Sequence, residues 1–261
     1  MQNIDTQICI VGAGPAGVIT SLLLAKMGIE SILLDKQEFP RHKACADCLP
    51  AQVIRILKEI DPSLLHGLVL NAEAIKIDGV YAYSSSCDKI KIPFKSLEKD
   101  TDEPSCYSIA RIDFDNHLMQ LAKQNEHITV IEKFQVTNIN IANNQAVITE
   151  KSGKTVTANI VVLASGSNSK LNQQLGKFKQ YKTHTAVGIR GYFSGVEMPY
   201  PNYCELFLYK KIMPGGGYLT PLPNGLVNMN VVVRMDKLKK SNLDLKEILK
   251  ECNVFSFEMY V

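Results

Sequence analysis

The chain has 261 residues, 46% hydrophobic and 21% charged, a composition that excludes wholesale disorder and leaves room for one or two domains around a sizeable core. Lys and Arg number 29 against 26 Asp and Glu, a formal charge of +3, too small a balance for a dedicated nucleic-acid binder. No apolar run approaches the ~20 residues of a membrane helix, the amino terminus has no basic lead-in, and seven scattered Cys suit a reducing compartment. The expectation is a cytoplasmic protein, with peripheral contact at a membrane surface left open.

Residues 6–11 (TQICIV) read as a short apolar strand. Gly12 to Gly17 follow, and residues 15–27 read as a helix with Val18, Ile19, Leu22, Leu23 and Ala25 on a broad buried face. Pro15 suits the first turn and Gly28 the stop. Residues 29–35 are the next strand, completing a βαβ unit with parallel strands. The polar loop 36–48 carries Pro40, Arg41, Lys43, Cys45 and Cys48, and residues 50–60 read as a helix. Short strands are expected at 74–77, 80–84 and 89–94, a polar connector at 98–105, and a helix at 111–124 with Phe114, Leu118, Leu121 and Ala122 on one stripe. Strands follow at 128–131, 134–141, 146–149, 159–163, 186–193, 205–209, 218–220 and 226–234. A lysine-rich turn then leads to a terminal helix, 243–251, with Leu245, Ile248 and Leu249 inward. The order predicts an α/β fold: a Rossmann-like domain with a parallel sheet from 1–70 and 100–175, interleaved with a β-rich domain from 71–99 and 178–261.

Gly12-Ala13-Gly14-Pro15-Ala16-Gly17 matches G-x-G-x-x-G. The first glycine makes the tight turn, the second lets the backbone approach a pyrophosphate, and the third allows close helix–strand packing. The run follows a strand, opens a helix, and is followed by Asp35 at the end of the next strand, the place of an acid that bonds ribose hydroxyls. The fingerprint does not choose between FAD and NAD; the acid disfavours NADP. Gly215-Gly216-Gly217 precedes a strand and is not a second phosphate turn.

The run DKQEFPRHKACADCL, residues 35–49, resembles the Phe-Pro-Arg-x-Lys-x-Cys-Gly stretch of geranylgeranyl reductase-like flavoproteins, within the p-hydroxybenzoate hydroxylase-type FAD superfamily. Arg111 to Leu118 (RIDFDNHL) matches that superfamily's R-x-x-F-D-x-x-L, Ala164-Ser165-Gly166 stands where it has Ala-Asp-Gly, and Pro214 to Pro221 resembles the reductases' Pro-Gly-Tyr-Gly-Trp-x-Phe-Pro. The resemblance implies that Gly12, Gly14, Pro15, Ala16 and Gly17 cradle the FAD pyrophosphate and that Asp35, followed by Lys36, holds the adenosine ribose. It implies further that Arg41, Lys43 and Ala44 lie along the cofactor, that Arg111, Ser165 and Gly166 contact it, and that Val136 meets adenine through its backbone. Gly217, Tyr218 and Thr220 would shape the substrate cavity. Ala46, Ser165, Gly216, Tyr218 and Thr220 depart from the family pattern, which weakens the substrate assignment more than the flavin assignment.

Cys45-Ala46-Asp47-Cys48 is a C-x-x-C. Zinc would want a second pair, and a flavin-coupled disulfide would want a different lead-in. The favoured reading has Cys45 lining the flavin cavity and Cys48 packing, with no metal site. The resemblance implies an FAD-dependent oxidoreductase that reduces carbon–carbon double bonds of a prenyl substrate, with NAD(P)H a candidate external reductant and a small hydrophobic molecule as partner. The alternatives are an FAD-dependent monooxygenase or halogenase, and a truncated nucleotide-binding protein without catalysis. The last arises because the superfamily's later Gly-Asp motif has no counterpart after Arg234, from which weak FAD binding or self-association is expected.

Overall fold

The computed structural model describes residues 3–71, 73–86, 88–94, 106–167, 169–176, 181–241, 244–251 and 258–260. The predicted connector 98–105 and the first residue of the predicted terminal helix lie outside them. The elements in chain order are β1 (Asn3–Val11), α1 (Pro15–Lys26), β2 (Ser31–Leu34), β3 (Cys48–Pro50), α2 (Ala51–Ile60), α3 (Pro62–Asn71), β4 (Ile75–Lys76), β5 (Gly79–Tyr83), β6 (Lys89–Pro93) and β7 (Cys106–Ser108). Next come α4 (Arg111–Gln124), β8 (Ile128–Ile131), β9 (Val136–Ala142), β10 (Gln145–Glu150), β11 (Thr155–Leu163) and α5 (Lys170–Leu175). The chain continues with β12 (Ala186–Ser194), β13 (Tyr203–Phe207), β14 (Gly215–Pro221), β15 (Val227–Arg234), α6 (Met235–Ser241), α7 (Leu245–Glu251) and β16 (Glu258–Tyr260). Among the described residues no helix is long and apolar enough to cross a membrane.

The chain divides into two compact units, Met1–His42 with Ile112–Lys179, and Lys43–Arg111 with Gln180–Val261. Residues 43–70 and 106–111, which the sequence reading places with the nucleotide-binding segment, thus fall in the second unit. The reason is visible in pairing: the short strands β3 and β7 bond to each other rather than to the parallel sheet.

The first unit is built on a six-stranded sheet in the order β8-β2-β1-β11-β10-β9. β8, β2, β1 and β11 run parallel, and β10 and β9 add an antiparallel meander. Apolar alternation explains the core: Cys9, Val11, Ile32, Leu34, Ile148, Val156 and Ala158 pack on one side with Leu171 of α5. Helix α1 buries Val18, Leu22 and Ala25, and α4 buries Phe114, Leu118 and Ala122. The buried face of α1 is narrower than its composition suggests, since Leu23 is exposed. β11 starts at Thr155, ahead of the predicted 159, because its threonine-rich first half pairs with Asn3–Thr6 of β1.

The second unit holds a seven-stranded sheet, β16-β12-β15-β14-β13-β5-β6, and a three-stranded one, β3-β7-β4. On β15, Val227, Met229, Val231 and Val233 join Leu245, Ile248 and Leu249 of α7 in one core, as the predicted inward face requires. The intervening Asn228 and Asn230 then point to the opposite face. The glycines 215–217 lie within β14, not ahead of it. A Cβ on Gly215 would overlap the Val232 carbonyl, and one on Gly216 would sit 2.9 Å from the Phe207 carbonyl oxygen.

Candidate dinucleotide site

In the first unit, β1 ends at Val11 and the chain turns sharply through Gly12, whose φ is +105°. A Cβ there would meet the Ala164 carbonyl oxygen at 2.5 Å, and one on Gly17 would overlap the Gly12 carbonyl. These two glycines are demanded by the protein itself. Gly14 is different. It has φ −68° and ψ 177°, open to any residue, and its Cβ would meet only the Arg41 guanidinium, at 3.8 Å. Nothing in the chain requires glycine there, so the bare backbone leaves room for something outside the chain. Gly14 also caps α1 with no side-chain hydrogen bond, Pro15 opens the helix, and its first turn carries no acid. The partial positive charge of the helix start is therefore left for an anion. These features fit the pyrophosphate of FAD.

Asp35, buried at the end of the second parallel strand, holds this turn. The Ala13 N–H donates to its Oδ2 and the Gln37 N–H to its Oδ1, each at 2.8 Å. Arg41 lies beside the turn because two contacts fix it, one of them secured by a third bond. It forms an ion pair with Asp115 of α4 (3.1 Å), its guanidinium stacks 4.5 Å from the Phe39 ring centre, and Phe39 is in turn anchored by its N–H to Glu132 (2.8 Å). Two family-like motifs are thus one structure: the Asp of R-x-x-F-D-x-x-L grips the Arg of Pro-Arg-x-Lys. The loop after β11 completes the site. Ala164 and Ser165 abut Gly12, Ser165 Oγ lies 2.7 Å from Ser169 Oγ, and Gly166 takes φ +85°.

The structure therefore brings together Gly12, Gly14, Pro15, Ala16, Gly17, Asp35, Arg41, Ser165 and Gly166. Lys36 is exposed on the loop beyond Asp35, and Val136 opens β9, paired with Glu150. Lys43, Ala44, Cys45 and Arg111 belong to the second unit.

There, a polar face is built across the seven-stranded sheet. Register places Tyr192 opposite Asn228 and Asn228 opposite Thr220; the next row is Arg190, Asn230 and Tyr218. Asp47 closes on this face with φ +60°. It accepts from the Tyr192 hydroxyl (2.8 Å), Asn228 Nδ2 (2.7 Å) and the Arg111 N–H (3.3 Å). Asn228 Nδ2 also reaches the Cys45 carbonyl at 2.8 Å, and the Arg190 guanidinium lies 4.0 Å from the Tyr192 ring centre. Burial pushes the Asp47 carboxyl up against the lowering effect of these donors, and burial and then the Asp47 charge push the Tyr192 hydroxyl up. Gly217 and Thr220 are buried in β14 and Tyr218 is exposed. Asn228 Oδ1 and Asn230 Nδ2 are buried with no hydrogen-bond partner among the described residues. Asp47, Asp115, Arg190, Tyr192, Asn228 and Asn230 were not singled out from sequence. The signal for the last two was the alternation Val-Asn-Met-Asn-Val, two amides on a strand buried on both faces.

A βαβ unit with this turn, an acid clasping it and an arginine clamped beside it defines a dinucleotide-binding fold. Residues 5–246 match the FAD binding domain family, and the chain belongs to that family. It is 26% identical over 236 residues to a menaquinone reductase of Mycolicibacterium smegmatis, covering 88% of this chain and 55% of that protein. It is 27% identical over 231 residues to digeranylgeranylglycerophospholipid reductase 1 of Methanococcoides burtonii, covering 86% and 53%. Among solved structures, a geranylgeranyl bacteriochlorophyll reductase-like protein of Thermoplasma acidophilum superposes with a TM-score of 0.82 at 19% identity, covering 100% of this chain and 65% of that one. The chain spans little more than half the length of these curated relatives.

Proposed function

We propose that this chain carries the FAD-holding part of an oxidoreductase that reduces carbon–carbon double bonds in a prenyl or isoprenoid lipid, with NAD(P)H as the external reductant. The observation that carries the FAD assignment is Gly14: a glycine that the protein does not need, flanked by a clamped arginine and an uncapped helix start. The substrate class is supported by the Pro-Arg-x-Lys-x-Cys loop and by the relatives, one named for a quinone reduction and one for a digeranylgeranyl lipid.

When bound, FAD supplies two-electron hydride chemistry. The Gly12–Gly17 backbone and the α1 start bind the pyrophosphate, and Arg41 offsets its charge. Asp35 keeps the Ala13 N–H in place. In the second unit, Tyr218 and Thr220 stand on the face that would meet the lipid, whereas Gly217, opposite Val231, is turned to the apolar side against Tyr209; the Tyr192–Asp47 hydrogen bond holds a proton at Tyr192 Oη on the Tyr218–Thr220 face. Asn228 Oδ1 and Asn230 Nδ2 offer unmatched polar atoms for a substrate headgroup.

An oxygenase or halogenase reading draws on the shared superfamily motifs and on the departures from the reductase pattern at 216–220. Packing accounts for Gly216, where a Cβ would crowd the Phe207 carbonyl, so that residue does not argue for different chemistry. The test is anaerobic incubation of FAD-loaded, chemically reduced protein with a panel of prenyl lipids and quinones. Flavin reoxidation with gain of two hydrogens in one lipid is expected. Unchanged substrates across the panel, with oxygen uptake on an aromatic panel instead, would replace this reading.

A further inference from the structure

Three cysteines converge in the second unit. Cys48 on β3 pairs with Ser108 of β7, which puts Cys106, two residues back along β7, on the same face of that small sheet as Cys48. Cys204 comes from β13 of the large sheet, across from Thr220 by the Glu205–Leu219 register. The two sheets meet here: Cys106, Cys204 and Ile77 are buried together and Cys48 packs against them. Cys48 Sγ lies 3.4 Å from Cys204 Sγ and 3.8 Å from Thr220 Oγ1. All three thiols are free, Cys48 is partly exposed, and no group of described residues has the arrangement of a metal site. The partner of Cys48 is therefore Cys204, not Cys45 of the C-x-x-C.

We infer that Cys48 and Cys204 form a peroxide-responsive dithiol–disulfide couple, with Cys106 as a third thiol positioned to exchange with it. Sulfur atoms 3.4 Å apart are already in van der Waals contact and need close by only a little over ~1 Å to reach the ~2.05 Å of a disulfide bond. Hydrogen bonds from Cys106 and Cys204 hold the Cys48 thiol well below the ordinary thiol value, while Cys106 and Cys204 are raised by the same contact and by burial. Cys48 is thus the attacking thiolate and its neighbours keep their protons. The Cys48 thiolate attacks one peroxide oxygen, the O–O bond breaks, and with one proton the products are Cys48 sulfenic acid and water. Cys204 sulfur then attacks the Cys48 sulfur, the S–O bond breaks, and the leaving hydroxide takes the one Cys204 proton to depart as a second water. In total two thiols lose two electrons and two protons, and one hydrogen peroxide becomes two waters. The bond would fasten β3 to β13 one residue after Asp47, tying the oxidation state to the loop that carries Cys45 and Asp47.

The experiment is peroxide treatment of the native chain, quenching, denaturation, alkylation and peptide mapping. Alkylatable thiols should fall from the seven of the sequence to five, with a Cys48–Cys204 cross-linked peptide that dithiothreitol removes. Loss of Cys48 should be roughly tenfold faster than loss of a cysteine in an unstructured peptide. Cys204→Ser should leave a Cys48 sulfenic acid that dimedone traps, while Cys106→Ser should still form the disulfide. Should Cys204→Ser fail to fold, the wild-type map decides alone. Oxidation confined to other cysteines, or Cys48 reacting no faster than the peptide, would overturn the inference. Neither readout depends on the substrate or on bound flavin.

Discussion

The second glycine of the turn offers the sharpest separation of fold from function. Gly14→Ala adds a Cβ at φ −68°, ψ 177°, where alanine is unstrained, and the nearest chain atom is the Arg41 guanidinium at 3.8 Å, ordinary contact. Alanine is a poorer helix cap than glycine, but it also restricts the unfolded chain, so the two effects offset within about 0.5 kcal/mol. A pyrophosphate cannot share that space. The methyl group would hold its oxygens about 1 Å or more away from the backbone N–H groups, weakening charge-assisted bonds of ~1.5–3 kcal/mol each. FAD affinity should drop at least about tenfold, since each ~1.4 kcal/mol is a decade. Gly12→Ala should do the opposite: φ +105° and a backbone carbonyl at 2.5 Å cost about 2 kcal/mol or more before any ligand is added. Urea unfolding followed by circular dichroism, and FAD titration by flavin fluorescence, read the two effects apart. A Gly14→Ala protein that binds FAD as tightly as wild type would show that the open space at this glycine has nothing to do with the cofactor.

Asp35→Asn is expected to be more damaging than its shape suggests, because both carboxylate oxygens accept from backbone N–H groups and an amide would set a donor against one of them. A loss of about 1–3 kcal/mol in urea unfolding is the prediction, and a change below ~0.5 kcal/mol would refute it. Arg41→Ala removes one partner of a buried carboxylate, so unfolding free energy should fall by about 1–3 kcal/mol and FAD affinity with it; an unchanged unfolding midpoint would show that the clamp is idle. Asp47 gives a pH signature. Its folded-state carboxyl sits above 3.8, so the native state holds the proton longer than the unfolded state, and stability falls as pH rises from about 3.8 through the folded value. The melting temperature of wild type minus that of Asp47→Asn should therefore decline across that window; a difference that rises with pH would reverse the assignment of burial as the dominant cause.

The parallel half of the fold was legible because its signals are local. A strand, a glycine turn, a helix and a strand lie within 35 residues, and helix α4 was read to both of its ends, Arg111–Gln124, from one apolar stripe. What escaped were elements whose stabilising partners are remote. β3 and β7 are three residues each, too short to show a period, and exist because they pair with one another across 55 residues of chain. Helix α3 (PSLLHGLVLN) is apolar on nearly every side, so it shows no amphipathic stripe. Helix α6 carries so many lysines that it reads as a turn, yet it packs against β15. β14 was shortened to its last residues because glycine is a poor strand former in isolation. In place, those glycines are what lets β13 and β15 approach from both sides.

The site divides along the same line. Gly12, Gly17 and Asp35 could be named from spacing, since a turn and the acid that holds it are set by one βαβ unit. Arg41 could be named only through resemblance, and the reason for its place, Asp115, lies 74 residues away. Asp47 shows why the rest stayed hidden. In sequence it is the polar spacer between two cysteines, and the eye goes to Cys45 and Cys48. In the fold it is the fully paired residue of the loop, with its backbone in the left-handed region and its carboxylate bonded to Tyr192 and Asn228, 145 and 181 residues on. A non-glycine residue at φ +60° is maintained only when surrounding bonds outweigh its strain. The bonds to Asp47 hold the loop's conformation: the Cys45 carbonyl is kept beside the polar face, while Cys48 is delivered to Cys204. A C-x-x-C whose middle residue is so held sends its second thiol into a contact across sheets.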